Sequence, residues 1–439
     1  MNTMITIPSP VRTALSMLSD AGFEANIVGG CVRDFLLGRT PSDYDITTNA
    51  LPEQTELVFH DYKCIDIGKK HGTIAVMIDK MQIEITTYRI DGEYADKRHP
   101  ESVMFSRELK DDLSRRDFTI NALAYNEKDG ITDCFGGKED LENRLIRCVG
   151  EPEKRFEEDA LRIMRAVRFA SQLDFEIDKC TEEHIFALKN TLKMISAERI
   201  RTELNKLLLG KAAYRILLNF RKLIAVFIPE AEGSRQTESK IWEHTIQSID
   251  KAENDLTIRL ALLLHDLGKL SDSSMENDNS SAHASLSKKM AFDILKRLKY
   301  DNKSIKDITT LIEYHETRPQ TRQDIKKAMS EIGPELFFKL LSMQEADFSS
   351  ECCQINNEKY STDEIRKTAE DIINKQECIR MSEMKINGNM LAALGCSGKM
   401  TGTVLNTLFE SVLSDRIKNQ NDILTGEAKK IIASMVKDN

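Results

Sequence analysis

Cysteine is sparse and unpatterned: nine in 439 residues, two of them adjacent at Cys352 and Cys353, and no C-x-x-C pair. That excludes a disulfide framework and a zinc-ribbon site and fits a reducing cytoplasm. No apolar run approaches the roughly 18 residues of a membrane span, and the N-terminus has no signal-peptide core, so a cytoplasmic chain with no membrane contact is expected. The G-x-x-x-x-G-K-[ST] pattern is missing, which excludes a P-loop nucleotidase. No repeat of roughly 20–50 residues rises above ordinary helical periodicity. Basic charge is also in short supply. With 62 Lys and Arg against 71 Asp and Glu the net charge is −9, which speaks against a broad basic surface for nucleic acid.

What is present is ample core material, 41% hydrophobic with 30% charged residues, enough for three or four domains. Strand signals concentrate before residue 150, and the remainder reads as helices joined by short polar loops. The expected class is α+β.

The richest stretch runs from Ile27 to Asp45, IVGGCVRDFLLGRTPSDYD. An apolar strand meets a Gly29-Gly30 turn, then a short helix with Arg33 and Asp34, then Asp43-Tyr44-Asp45. Residues two apart on a strand share a face, so Asp43 and Asp45 are expected to project together. Paired carboxylates repel unless a cation separates them, and a hard ion such as Mg2+ accepts the arrangement. Glycines let backbone approach a triphosphate. The layout suits transfer of a nucleotide. Taken alone, the D-x-D reads better as a solvated acidic loop, and it is the motifs downstream that change this.

Downstream, Ile83 and Ile85 alternate around Glu84, a half-buried strand with Glu84 on its polar face. If that strand lies beside the one bearing Asp43, Glu84 is a third carboxylate at the metal, and otherwise an ordinary exposed Glu. Asp112 to Leu123 reads as a helix opening with Arg115, Arg116 and Asp117, followed by Asn121. Arginine suits phosphate; Asp and Asn suit ribose hydroxyls.

GGCVRD…SDYD with RRDFTINALAYN resembles the class II tRNA nucleotidyltransferase and poly(A) polymerase family, bacterial type, within the polymerase-beta-like superfamily. Asp133-Cys134-Phe135-Gly136-Gly137 resembles the family's hinge-like motif, Glu158-Asp159-Ala160-Leu161-Arg162 its base-selecting motif, and Ala197 to Leu204 the helix supporting it. The resemblance implies a mixed-sheet head over 1–150, an all-helical neck over 151–225, an HD-like body over 226–350 and an RNA-binding tail over 351–439. It implies CCA addition to tRNA from CTP and ATP, with no membrane and no obligate protein partner. Asp43, Asp45 and Glu84 would be catalytic, with Asp43 and Asp45 holding two Mg2+ ions, one for the RNA 3′-hydroxyl and one for the triphosphate. Gly29, Gly30, Arg33, Arg116, Asp117, Asn121, Glu158, Asp159, Arg162, Arg165 and Arg168 would hold the nucleotide.

The base-selecting motif also follows from hydrogen-bond chemistry. It lies in the helical pattern EEDALRIMRAVRFASQL, where Asp159 and Arg162 would be neighbours on one face and Glu158 would brace Arg162. Arg162 can donate to a ring nitrogen and Asp159 accept from an exocyclic amine, a pattern shared by cytosine and adenine. Guanine and uracil reverse it, and each unpaired buried group costs about 1–3 kcal/mol. CC-adding members lack a flexible loop, which here spans Asp91 to Phe105. Full CCA addition is therefore favoured, with A-only addition and poly(A) synthesis as alternatives. Lys69-Lys70, Lys97-Arg98, Arg115-Arg116, Arg199 and Arg201 supply local basic groups that suffice for A-form RNA.

In the second half, Leu260 to Lys269 is an apolar helix ending in His265-Asp266. With His244 upstream and Asp347 downstream it resembles an HD phosphohydrolase, and these four are the expected ligand set for Mn, Ni, Zn or Fe. A phosphohydrolase acting on RNA ends or nucleotides is the alternative of a different class. His283 follows the polar run SDSSMENDNSSA, expected to be a surface loop. Gly388, Gly395, Gly398 and Gly402 read either as phosphate-facing turns or as helix caps.

Overall fold

Two-residue alternation accounts for the strands. In Met81–Thr87, Ile83 and Ile85 are buried while Gln82 and Glu84 are exposed, as a sheet with one solvated face requires. The structure is a computed structural model describing residues 6–92, 103–232, 236–271, 280–348 and 361–437. The chain divides into two compact units, Met1–Glu232 and Gly233–Asn439.

In the first unit the strands are β1 Ala25–Val28, β2 Asp45–Thr48, β3 Lys63–Gly68, β4 Thr73–Ile78, β5 Met81–Thr87, β6 Arg89–Asp91, β7 Val103–Phe105, β8 Leu123–Asn126 and β9 Gly130–Asp133. One mixed sheet runs β3-β4-β5-β2-β1-β8-β9. Only its central pair, β2 with β5, is parallel. The Ser9–Asp20 helix buries Val11, Ala14 and Leu18. The Leu109–Ser114 helix seats Leu113 in a cluster with Val28, Ala122, Ala124 and Val149. Beyond the sheet the unit is mainly helical, apart from a short parallel pair, Leu145–Ile146 with Glu176–Ile177, and its helices include Pro152–Glu158, Leu161–Leu173 and Ala197–Leu208. The α+β expectation, a mixed-sheet head followed by helices, holds.

The second unit is helical throughout its described residues. Gln236–Lys251, Leu256–Leu264, Ser280–Arg297, Asn302–Tyr314 and Pro334–Phe348 form its first part. One cluster joins Ile325, Met329, Phe337 and Leu341 with Ile365, Ala369 and Ile372. Another packs Leu391, Val404 and Leu408 against Leu424 and Ala428. The tail glycines fall in turns and at helix starts. No helix among the described residues is long and apolar enough to cross a membrane.

Candidate functional site

Register builds an acidic edge. Asp45 opens β2 directly opposite Glu84 of parallel β5, and Val28 of β1 flanks Asp45 on the other side. Glu84 therefore joins Asp45, as alternation suggested. Asp43 does not share the strand: β2 starts at Asp45. The Ser42 hydroxyl donates to the Asp43 carboxylate at 3.0 Å, a local bond that competes with the ladder. Asp43 still acts on Asp45 through space. Burial and the Glu84 charge push the Asp45 carboxyl up to about 6, Arg116 opposes them, and Asp43 adds to the rise. Among the described residues the Asp45 and Glu84 side chains make no hydrogen bond or ion pair. An all-oxygen, all-anionic set that Arg116 only partly offsets fits a hard divalent ion.

Arg116 reaches this edge through a gap that only glycine leaves. Gly29 has φ +85°, and a Cβ there would lie 3.1 Å from Arg116 Nη1. The Arg-Arg-Asp segment does not open a helix, as expected from sequence; it follows the end of one. The Leu109–Ser114 helix stops because Asp117 and Thr119 are captured by the 147–149 segment. The Val149 amide donates to the Asp117 carbonyl at 3.1 Å, and the Thr119 amide to the Arg147 carbonyl at 2.9 Å. Both arginines turn back onto Asp112, which is wholly buried. Arg115 Nη2 lies 2.6 Å from it and Arg116 Nη2 3.1 Å. Burial alone would raise the Asp112 carboxyl, yet the two guanidinium groups hold it below its ordinary value. Sequence reasoning missed Asp112 as an anchor. Its signal was the i,i+3 and i,i+4 spacing to the arginines.

Asp117 lies at the centre of a bonded chain. Its carboxylate accepts from the Phe118 amide (2.9 Å) and Asn121 Nδ2 (3.0 Å). Arg165 Nη2 lies 2.6 Å away. Arg33 Nη1 donates to Asn121 Oδ1 at 2.8 Å. Burial works against the Asp117 charge, but Arg165, the Asn121 amide and Arg162 hold its carboxyl well below the usual range. Arg33, Arg165 and Arg168 all approach the Phe169 ring, at 5.0, 5.4 and 3.6 Å from its centroid. Phe169 is the platform that gathers the three cations. Arg168 is in turn paired with Glu203 at 2.7 Å.

The Glu158 to Arg162 segment departs from a continuous helix. The Pro152–Glu158 helix ends at Asp159, whose backbone is extended, and a new helix runs Leu161–Leu173. Asp159 Oδ1 accepts from the Leu161 amide at 3.0 Å, a cap-like bond that stabilises the break. Asp159 and Arg162 are thus placed by a bend, not by i,i+3 spacing on one helix. Glu158 braces Arg162 at 2.7 Å, as expected. Arg162 also donates to the carbonyls of Arg155 (3.2 Å) and Arg115 (3.0 Å). Arg199 Nη2, on the Ala197–Leu208 helix, lies 2.9 Å from Asp159, so that helix supports the motif as expected. The loop from Asp91 to Phe105 is bounded by β6 and β7, which pair antiparallel; residues 93–102 lie outside the described residues.

In the helical unit His244, His265, Asp266 and Asp347 come together. His244 Nε2 and His265 Nε2 lie 3.0 and 3.2 Å from Asp347 Oδ1. They lie 3.9 and 3.5 Å from Asp266 Oδ2. His283 is buried on the Ser280–Arg297 helix, and His315 is buried beside it. Neither was in the expected four-residue set, because ligand spacing in a helical bundle is set by packing. Residues 272–279 of the polar run before His283 lie outside the described residues.

Family models match three stretches: the poly A polymerase head domain over 25–147, the RNA- and SrmB-binding site of polymerase A over 174–233, and tRNA nucleotidyltransferase domain 2 over 280–428. The CCA-adding enzyme of Ligilactobacillus salivarius is 34% identical over 436 residues, 98% of this chain and 99% of that protein. The enzyme of Lactobacillus helveticus is 44% identical over a stretch covering 55% of this chain and 64% of that protein. For Geobacillus stearothermophilus the figures are 51%, 47% and 52%. The crystal structure of the Bacillus stearothermophilus CCA-adding enzyme with CTP superposes with a TM-score of 0.77 at 28% identity, covering 99% of this chain and all of that one. The Thermotoga maritima enzyme complexed with tRNA shares the fold, with a TM-score of 0.61 at 21% identity over 98% of this chain and 97% of that one. An acidic strand edge, a bonded Arg-Arg-Asp segment and an Asp159–Arg162 pair thus recur along a chain matched over nearly its whole length, and this protein belongs to the CCA-adding enzyme family of nucleotidyltransferases.

Proposed function

We propose that this chain rebuilds the CCA end of tRNA from CTP and ATP, without a nucleic-acid template, in the cytoplasm. The observation that carries the reading is one linked network in the first unit. It runs from Glu84 and Asp45, the latter feeling the Arg116 charge, through Asp112 and Arg115 to Arg162 and its base-reading partner Asp159. Nucleotidyltransferases of this family are divalent-metal dependent, and Mg2+ held by Asp43 and Asp45, with Glu84, is the assignment the donor set favours. Bound there, Mg2+ would lower the pKa of the RNA 3′-hydroxyl and neutralise charge on the triphosphate.

Arg116, Arg33 and the Gly29-Gly30 turn take the phosphates, while Asp117 and Asn121 hold the ribose. Their mutual hydrogen bonds pre-organise them, so little ordering is left for the moment of reaction. Arg165 and Arg168, stacked on Phe169, keep that wall in place. The 3′-oxygen bonds to the α-phosphorus, the bond to the bridging oxygen breaks, pyrophosphate departs and the hydroxyl proton passes to water. Asp159 and Arg162 accept the C and A edges and leave G and U with donors facing donors. Within this reading the head is 1–150, the neck 151–225, the body 226–350 and the RNA-binding tail 351–439. The 91–105 loop favours full CCA over CC addition. A second divalent ion, Mn, Ni, Zn or Fe, belongs at His244, His265, Asp266 and Asp347.

The test supplies Mg2+ and a tRNA lacking CCA, with each nucleotide alone and with CTP plus ATP, and sequences the 3′ ends. A product stopping at CCA and lost in Asp45→Ala supports the reading. A single A added only to a CC end makes it an A-adding enzyme, and long A tails a poly(A) polymerase. No addition by a folded protein refutes it.

A further inference from the structure

The Leu109–Ser114 helix leaves its last carbonyls without partners inside the helix, as helix ends do. Arginines from the base-reading segment take them. Arg155 Nη1 donates to the Ser114 carbonyl at 3.3 Å, and Arg162 Nη2 to the Arg115 carbonyl at 3.0 Å. The seat of Arg162 is therefore the turn that Arg115 closes, and whatever fixes that turn fixes the base reader.

Asp112 fixes it. One carboxylate oxygen, Oδ1, accepts from Arg115 at two points, Nε at 2.9 Å and Nη2 at 2.6 Å. The other, Oδ2, accepts from Arg116 Nη2 at 3.1 Å and lies 3.1 Å from the Thr47 hydroxyl. Thr47 is two residues on from Asp45 along β2. Its hydroxyl also lies 3.2 Å from the carbonyl of Thr86, two residues on from Glu84 along β5. The two oxygens thus serve different ends. Oδ1 holds the support of the base reader, and Oδ2 holds the acidic strand edge together with the arginine that approaches it.

A buried ion cluster adds little stability over apolar packing of the same volume. What it supplies is geometry, because charged hydrogen bonds confine their partners to short distances and narrow angles. Asp112 engages Arg116 through Nη2. Arg116 Nε is buried with no hydrogen-bond partner among the described residues, a donor left for a ligand.

We propose that Asp112 is a positioning residue for nucleotide transfer, setting base selectivity through Arg115 and the rate of transfer through Arg116 and Thr47. It rests on the reading of this site as a transferase using CTP and ATP, and it adds the part that keeps base reading and chemistry aligned. Asp112 itself touches neither base nor phosphate. Through Oδ1 it places Arg162 against the ring nitrogen of the base, and through Oδ2 it places Arg116 and β2 against the triphosphate. A misplacement of about 1 Å at either end costs up to about 100-fold in rate.

The experiment measures kcat and KM for CTP and for UTP on saturating tRNA lacking CCA, with the melting temperature of each protein. Arg115→Met leaves the Asp112–Arg116 pair in place and should lower the CTP-to-UTP ratio of kcat/KM by about 10-fold or more, the loss of a charge-assisted bond. Arg115→Lys, which keeps the charge but not the two-point grip, should fall between it and wild type. Thr47→Val should lower kcat by up to about 10-fold with the ratio unchanged. Asp112→Asn should show both effects. An Arg115→Met protein with the wild-type ratio overturns the proposal, whatever its overall activity, and that variant decides alone if Asp112→Asn does not fold. Equal losses for CTP and UTP in a folded Asp112→Asn protein reduce Asp112 to a structural role and overturn it too. Selectivity lost in Thr47→Val refutes the division of labour between the two oxygens. A wild-type protein that adds neither CTP nor ATP overturns the transferase reading itself, a result separate from any change in ratio.

Discussion

Replacing Asp45 with Asn should make the metal-free protein more stable while abolishing nucleotide addition. Burial and the facing Glu84 raise the Asp45 carboxyl to about 6 from an ordinary 3.8. At about 1.4 kcal/mol per pKa unit, the ionised group costs the folded state about 3 kcal/mol, an upper figure because the site keeps some contact with water. The sign follows from proton binding. The folded state holds this proton more tightly, so the stabilisation it provides is complete below pH 4 and is lost as pH rises through about 6. Asparagine carries no such penalty. In EDTA at pH 7.5 the variant should therefore melt above wild type by up to about 6 °C, taking about 2 °C per kcal/mol for a unit of this size. The gap should close between about pH 6 and 4. Added Mg2+ should raise the wild-type melting temperature and leave the variant unmoved. Differential scanning calorimetry across pH, with and without Mg2+, reads all of this. A variant that melts at or below wild type in EDTA would sink the claim that these carboxylates are held together for an absent cation.

Arg199→Ala removes the guanidinium that orients Asp159. A lost charge-assisted bond of about 1.5–3 kcal/mol should lower kcat/KM for CTP and ATP alike by about 10–100-fold, with more GTP and UTP misincorporated; unchanged selectivity would mean Asp159 is positioned by other means. In Gly29→Ala the strained φ costs about 1–2 kcal/mol. The added methyl also displaces Arg116, so KM for nucleotide should rise well beyond what the drop in melting temperature explains, and an unaltered KM counts against phosphate binding by Arg116. Arg168→Met strands Glu203 in the interior and should cost about 3–5 kcal/mol in urea unfolding. The double variant Arg168→Met/Glu203→Met should recover most of it; if it does not, the pair owes its place to packing on Phe169.

Two elements show where sequence reading succeeded and where it slipped. Alternation around Glu84 was enough to assign both its strand and its exposed face, because a period of two is a local property of the backbone. Helical periodicity around Asp159 was equally clear and was misleading at one residue. A carboxylate that can cap the following amide breaks a helix at a small cost, and hydrophobic spacing does not register the break. The same holds after Arg115, where the amphipathic spacing resembles a helix but the backbone of Asp117 and Thr119 pairs about thirty residues on, at 147–149.

The sequence by itself determined the local chemistry: the glycine turn, the three acidic positions, the basic pairs, the His265-Asp266 step, and strands giving way to helices. These depend on residue type and on spacing within a few positions, where the chain's own geometry does the placing. The tertiary structure alone decided which carboxylates face each other, since parallel pairing of β2 with β5 joins residues 39 apart. It decided that Asp112 anchors two arginines and that Phe169 gathers three. It also decided that His283 and His315 join His265 and Asp266, because helix packing, with a glycine at the point of closest approach, brings together side chains whose separation along the chain carries no record of their meeting.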